Sequence, residues 1–127
     1  MLSGEVVCIV DDDESVRESL TGLLRSVGLP ARPFASAEEF LDGWDRATTS
    51  CVILDVTMPG MSGAELQELL ISRGEQPPLV FITARTESAL RNRVLERGAV
   101  AYLIKPFTED ELLRTVASAR QAGKVGR

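Results

Sequence analysis

The chain has 127 residues, a mass of 13.8 kDa and a net charge of −5, which is the size of one domain and leaves no room for a second core. It contains no histidine, and this excludes imidazole metal ligands, a Ser-His-Asp triad and general acid–base catalysis by histidine. The acidic balance argues against binding of nucleic acid by this domain alone, because such binding needs clustered Lys and Arg.

The apolar segments also restrict the cellular setting. None is long enough to cross a membrane, and we expect no signal peptide, so a cytoplasmic location is predicted. Cys8 and Cys51 both lie within apolar runs, which predicts buried thiols in a reducing compartment rather than a disulfide or a metal site.

The first apolar run, residues 5–10, predicts a strand that stops at an acidic sequence, residues 11–14. Apolar residues then recur at helical spacing and end before Gly28, where a left-handed helix cap is expected. We assign Asp13 and Glu14 to the start of this helix, because negative charge there favours the helix dipole.

The second strand and helix are predicted from weaker signals. Residues 30–35 are short and polar enough for an edge strand. Ser36 followed by Glu39 is a capping-box pattern, which predicts the start of a helix. The apolar face of that helix is formed by Phe40, Leu41 and Trp44.

The central segment places a carboxylate at the end of a buried strand. Residues 51–54 are apolar without alternation, which predicts a strand buried on both faces, and Pro59, Gly60 and Gly63 mark the following loop. Because ligands and chemistry gather at the carboxyl ends of strands in open parallel sheets, Asp55 is a candidate site residue.

The rest of the chain continues the alternation of strands and helices. Apolar runs predict two further strands, at residues 79–82 and 100–104, which stop at Thr83 and Lys105. Helical patterns, two of them opened by capping boxes, predict three further helices: between Ser62 and Gly74, over 87–97, and between Thr108 and Gly123.

Five strands alternating with five helices predict an α/β fold with one parallel sheet and helices on both of its faces. A flavodoxin-like (βα)5 arrangement with strand order 2-1-3-4-5 is the natural form for five strands. The first and third strands are then neighbours at the topological switch point, so Asp11, Asp12 and Asp55 converge. Thr83 and Lys105 end the next two strands along the same edge.

This predicted cluster suits phosphoryl chemistry. Carboxylates about 4 Å apart repel by several kcal/mol per pair, so a cation must be present or protons must be taken up. Oxygen-only ligands favour Mg²⁺, with Mn²⁺ as a second possibility. Asp55 is placed to attack a phosphoryl group, while Lys105 would neutralise its charge and Thr83 would donate to one of its oxygens. An acidic surface loop, a surface lysine and a threonine that caps a turn are the structural alternatives.

Four segments of the sequence resemble the receiver domain of bacterial two-component response regulators. These segments are residues 9–13 (Ile-Val-Asp-Asp-Asp), 54–63 (Leu-Asp-Val-Thr-Met-Pro-Gly-Met-Ser-Gly), 82–84 (Ile-Thr-Ala) and 105–107 (Lys-Pro-Phe). Within that family, residues 10–13 with 15–20 (Ser-Val-Arg-Glu-Ser-Leu), and 58–63 with 105–107, resemble the FixJ-type subgroup most closely. The resemblance implies a receiver domain over residues 1–120, with a tail or the start of a linker at 121–127. It also implies that Asp55 accepts a phosphoryl group from a sensor histidine kinase.

The same resemblance assigns roles to individual residues. Asp12, Asp55 and the main-chain carbonyl of Thr57 would ligate Mg²⁺, and Asp11 would act through a bound water. Lys105 would be oriented by a cis bond to the proline that follows it.

Thr83 and Tyr102 correspond to the switch pair of the family, in which the hydroxyl moves to the phosphoryl group while the aromatic ring swings inward. A plain core aromatic is the alternative for Tyr102. Thr57 and Arg85 occupy positions that influence how long the phosphoryl group survives.

The resemblance also implies partners. The output face would lie around the fourth helix, fifth strand and fifth helix, whose mixed charge is compatible with a phosphorylation-dependent homodimer and equally with a solvated surface. Transcription would be the output, with DNA bound only through a helix-turn-helix domain beyond this chain. No membrane is involved.

Three other functions stay open from the sequence. A free-standing receiver would lack a DNA-binding output. A Mg²⁺-dependent phosphohydrolase would turn over through the same aspartyl phosphate, although so compact a chain offers no evident substrate pocket. A pseudo-receiver would bind partners without phosphorylation. The leading hypothesis is a phosphoacceptor domain that is not an enzyme beyond its own phosphotransfer and autodephosphorylation.

Overall fold

A computed structural model describes residues 5–125, in which five parallel strands form one sheet in the order 2-1-3-4-5, as predicted. The strands are β1 (Val6–Val10), β2 (Ala31–Phe34), β3 (Thr49–Asp55), β4 (Leu79–Thr83) and β5 (Ala101–Ile104). The helices are α1 (Glu14–Ser26), α2 (Ala37–Gly43), α3 (Gly63–Ser72), α4 (Ser88–Glu96) and α5 (Glu109–Val125).

The sheet is covered by helices on both faces, which explains why its central strands are apolar without alternation. Every residue of β3 is buried. Side chains of α2, α3 and α4, such as Phe40, Leu66 and Val94, pack on one face. Side chains of α1 and α5, such as Leu24 and Val116, pack on the other. Each large apolar side chain buried in this way contributes roughly 1.5–3 kcal/mol, so the two cores fix the sheet between the helix layers.

The strands at the two sides of the sheet are less buried than the centre. In β2, the short edge strand predicted from residues 30–35, only Ala31 and Phe34 are buried.

Cys8 and Cys51 are buried free thiols, as predicted, and burial raises the pKa of Cys51 to about 12. No helix among the described residues is both long enough and apolar enough to span a bilayer.

Helix caps follow the predicted pattern with one exception in detail. Asp13 caps α1 through the backbone N–H groups of the first turn, and the capping boxes at Ser62 and Thr108 are complete. At α2, the Ser36 hydroxyl accepts from the Glu39 N–H, but the Glu39 carboxylate accepts from the N–H of residue 35 instead of Ser36. The capping box predicted there is therefore only half formed.

Helix α5 is longer than the sequence predicts. It continues through Gly123 to Val125, whereas the pattern placed its end before Gly123. One glycine costs about 1 kcal/mol in a helix and does not by itself terminate it. Residues 126 and 127 lie outside the described residues, and the linker expected over 121–127 stays a prediction.

Candidate functional site

The order of the strands brings the predicted acidic residues together. Asp11 directly follows β1 and Asp55 is the last residue of β3, and these strands are neighbours with Val10 paired to Leu54. Oxygen atoms of Asp11, Asp12 and Asp55 all lie within 4.8 Å of one another. The convergence predicted from the topological switch point is present.

The two buried carboxylates of the cluster are held by backbone donors. Asp11 is fully buried, and its Oδ1 atom accepts from the Asp13 N–H at 2.9 Å. Asp55 is nearly buried, and its Oδ1 atom accepts from the Thr57 N–H at 3.1 Å. The Asp11 Oδ2 atom is buried and accepts no hydrogen bond from the described residues. Each carboxylate is thus fixed through one oxygen and offers the other to the cluster.

Lys105 faces this cluster from the end of β5. Its Nζ atom lies 3.5 Å from Asp11 Oδ2 and 3.8 Å from Asp55 Oδ2. The Lys105–Pro106 bond is cis, as the resemblance implies. One ammonium beside three carboxylates leaves the cluster net negative, so its electrostatics favour a further cation.

The protonation of Asp55 reflects this environment. Burial raises the pKa of Asp55 to about 6, and the nearby Asp11 and Asp12 carboxylates add to the rise. The Thr57 N–H and the Lys105 ammonium oppose the rise, because both stabilise the charged form. Near neutral pH the carboxylate is therefore ionised and available as a nucleophile, while its charge remains incompletely compensated.

Thr83 and Tyr102 lie on the β4–β5 side of the same edge, and they are connected through the main chain of Arg85. Thr83 ends β4, and its buried Oγ1 accepts from the Arg85 N–H at 3.0 Å. Tyr102 is half-buried in β5, and its hydroxyl donates to the Arg85 carbonyl at 3.1 Å. The structure therefore links the two predicted switch residues to each other through the main chain of Arg85.

Two residues that support the site were not identified from the sequence. Gly63 packs so tightly that a Cβ atom there would overlap the main-chain oxygen of Asp55 and lie 3.0 Å from the Cα of Val56. Arg17 of α1 donates to the main-chain oxygen of Asp11 at 2.7 Å. The sequence marks Gly63 only as a loop glycine, and nothing near Arg17 in the sequence indicates its contact.

The donor set of the cluster fits a hard divalent cation. Three carboxylates supply oxygen ligands without thiolate or imidazole, which is the preference of Mg²⁺ and Mn²⁺. The buried Asp11 Oδ2 atom supports this fit, because it accepts no hydrogen bond from the described residues and the Lys105 ammonium that faces it stays 3.5 Å away. The Thr57 carbonyl as a metal ligand stays a prediction.

Comparison with known proteins adds independent information. The sequence matches the family model of the response regulator receiver domain over residues 7–117. It is 42% identical over 114 residues to the response regulator protein TodT of Pseudomonas putida, a match that covers 90% of this chain and 50% of TodT. It is 37% identical over 122 residues to the transcriptional regulatory protein FixJ of Azorhizobium caulinodans, covering 95% of this chain and 58% of FixJ.

A solved structure of the response regulator StyR superposes with a TM-score of 0.90 at 42% identity, covering 96% of this chain and 62% of StyR. The chain spans about half the length of the curated relatives it matches. The match extends from the first strand into the last helix and includes every strand end that contributes to the acidic cluster. The chain therefore belongs to the response regulator receiver domain family and is of the FixJ type.

Proposed function

We propose that this domain accepts a phosphoryl group on Asp55 from a sensor histidine kinase, in a reaction that depends on Mg²⁺. As a member of the receiver family, the chain is a signalling domain rather than a classical enzyme. The observation that carries the proposal is the pair of carboxylates of Asp11 and Asp55, whose Oδ2 atoms both face the Lys105 ammonium.

The transfer requires an ionised acceptor and a compensated phosphoryl group. An Asp55 oxygen forms a bond to phosphorus, and the bond between phosphorus and the imidazole nitrogen of the donor breaks, with its electron pair returning to the imidazole. Lys105 stabilises charge on the phosphoryl oxygens, and the Thr83 hydroxyl donates to one of them. A pKa of about 6 leaves Asp55 ionised near neutral pH.

Four groups would hold the metal: the carboxylates of Asp12 and Asp55, the Thr57 carbonyl, and Asp11 through a water. Bound there, Mg²⁺ would supply positive charge that offsets the charge of the phosphoryl oxygens, and Mn²⁺ would serve in its place. The buried Oδ2 atom of Asp11, which accepts no hydrogen bond from the described residues, supports this assignment.

We propose regulation of transcription as the output of this domain, because relatives that it matches are transcriptional regulatory proteins. Those matched include transcriptional regulatory proteins of which this chain covers 52% and 58%, so we assign DNA binding to an output domain outside it. Phosphorylation would change the face formed by α4, β5 and α5, and a phosphorylation-dependent homodimer through that face is part of the proposal. The cytoplasm is the proposed location.

The direct test is chemical labelling of the acceptor. Incubation with acetyl phosphate and Mg²⁺ should add one phosphoryl group to the wild type, detected by intact-protein mass spectrometry and mapped to Asp55. Asp55→Asn should prevent labelling, and Asp42→Asn, the same change at an exposed carboxylate of α2, should not. Chelation of the metal should abolish labelling. Equal labelling of Asp55→Asn and wild type would contradict the proposal.

Phosphate release from small phosphoesters, measured beside the labelling, separates a phosphoacceptor from a phosphohydrolase. A phosphoacceptor gives one labelled carboxylate per chain and slow loss of the label. A phosphohydrolase would release many equivalents of phosphate from small phosphoesters for each chain present. Sustained turnover of such substrates would favour the second function.

A further inference from the structure

The amino-terminal end of α4 is built differently from that of the other helices. Asp13, Ser36, Ser62 and Thr108 each cap their helix through a side-chain oxygen. Among the helices of the described residues, only α4 lacks such a bond, because its N-cap residue, Glu87, makes none. An uncapped first turn leaves backbone N–H groups without a protein partner and weakens that end of the helix.

The carboxylate of Glu87 binds the Arg85 side chain instead of the first turn of α4. The Arg85 Nε atom donates to Glu87 Oε1 at 2.8 Å, and Nη2 donates to Oε2 at 2.6 Å. This two-point geometry is the strongest form of an arginine–carboxylate pair. Both side chains are about half exposed, at 48% and 53%, so the pair can be broken without opening the core.

The main chain of Arg85 is also the link between the two predicted switch residues. Its N–H donates to the Thr83 hydroxyl oxygen and its carbonyl accepts from the Tyr102 hydroxyl. A restraint on the Arg85 side chain therefore restrains the main chain to which Thr83 and Tyr102 are bound.

The opposite end of α4 is firmly anchored to α3. Gln67 is fully buried in α3, and its Nε2 atom donates to the Val94 carbonyl at 3.0 Å and to Gln76 Oε1 at 3.1 Å. Gln76 in turn donates to the Arg97 carbonyl at 3.1 Å. Movement of α4 is thus easier at its amino-terminal end than at its carboxyl-terminal end.

We propose that the Arg85–Glu87 ion pair is a built-in restraint that holds the β4–α4 loop, and with it Thr83 and Tyr102, in the unphosphorylated arrangement. This inference rests on the proposed function of Asp55. For Thr83 to reach a phosphoryl oxygen, either its bond to the Arg85 N–H breaks or Arg85 moves with it. The pair resists the second, because it ties Arg85 to Glu87 at the N-cap of α4. Glu87 is therefore a positioning residue that acts through Arg85.

The expected size of the effect follows from the exposure of the pair. Exposed, well-aligned ion pairs shift an equilibrium by about two- to fivefold. Release of the loop raises the population of the arrangement that phosphorylation favours, and the rate of Asp55 labelling rises in proportion to that population.

Glu87→Gln tests this restraint, with Glu96→Gln as the matched control. Both changes remove one negative charge from the exposed surface beside or on α4, but Glu96 forms no ion pair among the described residues. In Glu87→Gln we expect backbone hydrogen exchange over residues 84–90 and labelling of Asp55 by acetyl phosphate with Mg²⁺ to be about two- to fivefold faster than in wild type. Glu96→Gln should match the wild type in both.

Arg85→Gln and the double variant complete a thermodynamic cycle. Because the two side chains act as one pair, Arg85→Gln should speed exchange in the same way, and the double variant should add nothing further. If Glu87→Gln labels and exchanges at the rates of Glu96→Gln, the restraint does not exist. If the wild type itself is not labelled, the proposed function fails, and the exchange measurement still decides whether the pair restrains the loop.

Discussion

The two sides of the carboxyl edge of the sheet differ in how firmly their side chains are held. At the ends of β1 and β3, Asp11 and Asp55 are buried and fixed by backbone N–H groups. Around β4 and β5, the half-buried ring of Tyr102 and the exposed Arg85 and Glu87 are held by contacts near the surface. A side chain that takes part in chemistry needs a fixed geometry. A segment that changes conformation in response needs contacts that break and re-form with a small change in free energy.

The largest expected effect is on the firm side. Gly63→Ala places a methyl group against the main-chain oxygen of Asp55, so the strand end or α3 must shift, and the free energy of unfolding should fall by about 3 kcal/mol. Gly22→Ala is the control, because nothing lies within 4 Å of the added Cβ in α1 and alanine favours a helix by about 1 kcal/mol. Urea unfolding measures both, and equal stability of the two variants would contradict the tight packing at Gly63.

A smaller effect should reveal the uncompensated charge on the same side. The folded protein binds the Asp55 proton more tightly than the unfolded chain, because the folded pKa is about 6 and the ordinary value is 3.8. In metal-free buffer, stability should therefore fall as the pH rises from about 4 to about 6, and Asp55→Asn should remove most of this slope. Near pH 7, that variant should be more stable than the wild type by about 2 kcal/mol.

Metal binding should reverse the advantage of Asp55→Asn. Mg²⁺ at about 100 times its dissociation constant stabilises the wild type by roughly 2.7 kcal/mol, and a variant that has lost a ligand gains less. Unfolding curves with and without Mg²⁺ measure the difference, with Asp42→Asn as the control for loss of an exposed charge. For the pH experiment in metal-free buffer, the contrary outcome is an equal dependence of the unfolding free energy on pH in wild type and Asp55→Asn. That result would show that the folded protein does not raise the pKa of Asp55.

The smallest effect is expected on the loosely held side. Tyr102→Phe removes one hydrogen bond to the Arg85 carbonyl, which is exposed and can be hydrated instead, so the free energy of unfolding should change by only about 0.5 kcal/mol. Hydrogen exchange over the β4–α4 loop should nevertheless accelerate. If the free energy of unfolding of Tyr102→Phe fell by several kcal/mol, this side would be as rigid as the acidic cluster. The contrast between the two sides would then disappear.

The fold and the acidic cluster were accessible from the sequence because both depend on patterns along the chain. Unbroken apolar runs mark buried parallel strands, and each run ends at a polar residue, so topology alone brings Asp11 and Asp55 together. FixJ-type membership was likewise predicted from short motifs and is confirmed by the matched relatives. The metal, the phosphoryl transfer and the roles of Thr83 and Tyr102 stay predictions.

The features that the sequence did not reveal depend on contacts between distant segments. The close approach of Gly63 to Asp55 and the burial of Gln67 beneath α4 leave no periodic signal. The Glu39 carboxylate bonds one residue earlier than a capping box requires, which depends on the local path of the chain. The continuation of α5 through Gly123 reflects a balance of helix propensity against a single unfavourable residue.

The burial of both cysteines has a practical consequence for observing this molecule in motion. Desolvation keeps the thiols of Cys8 and Cys51 protonated and shielded, so neither should react with maleimide reagents in the native state. A cysteine introduced in place of the exposed Thr86 would then be the main reactive thiol of the folded chain. A fluorophore attached there would report the position of the β4–α4 loop in real time, without removal of any natural residue from the core.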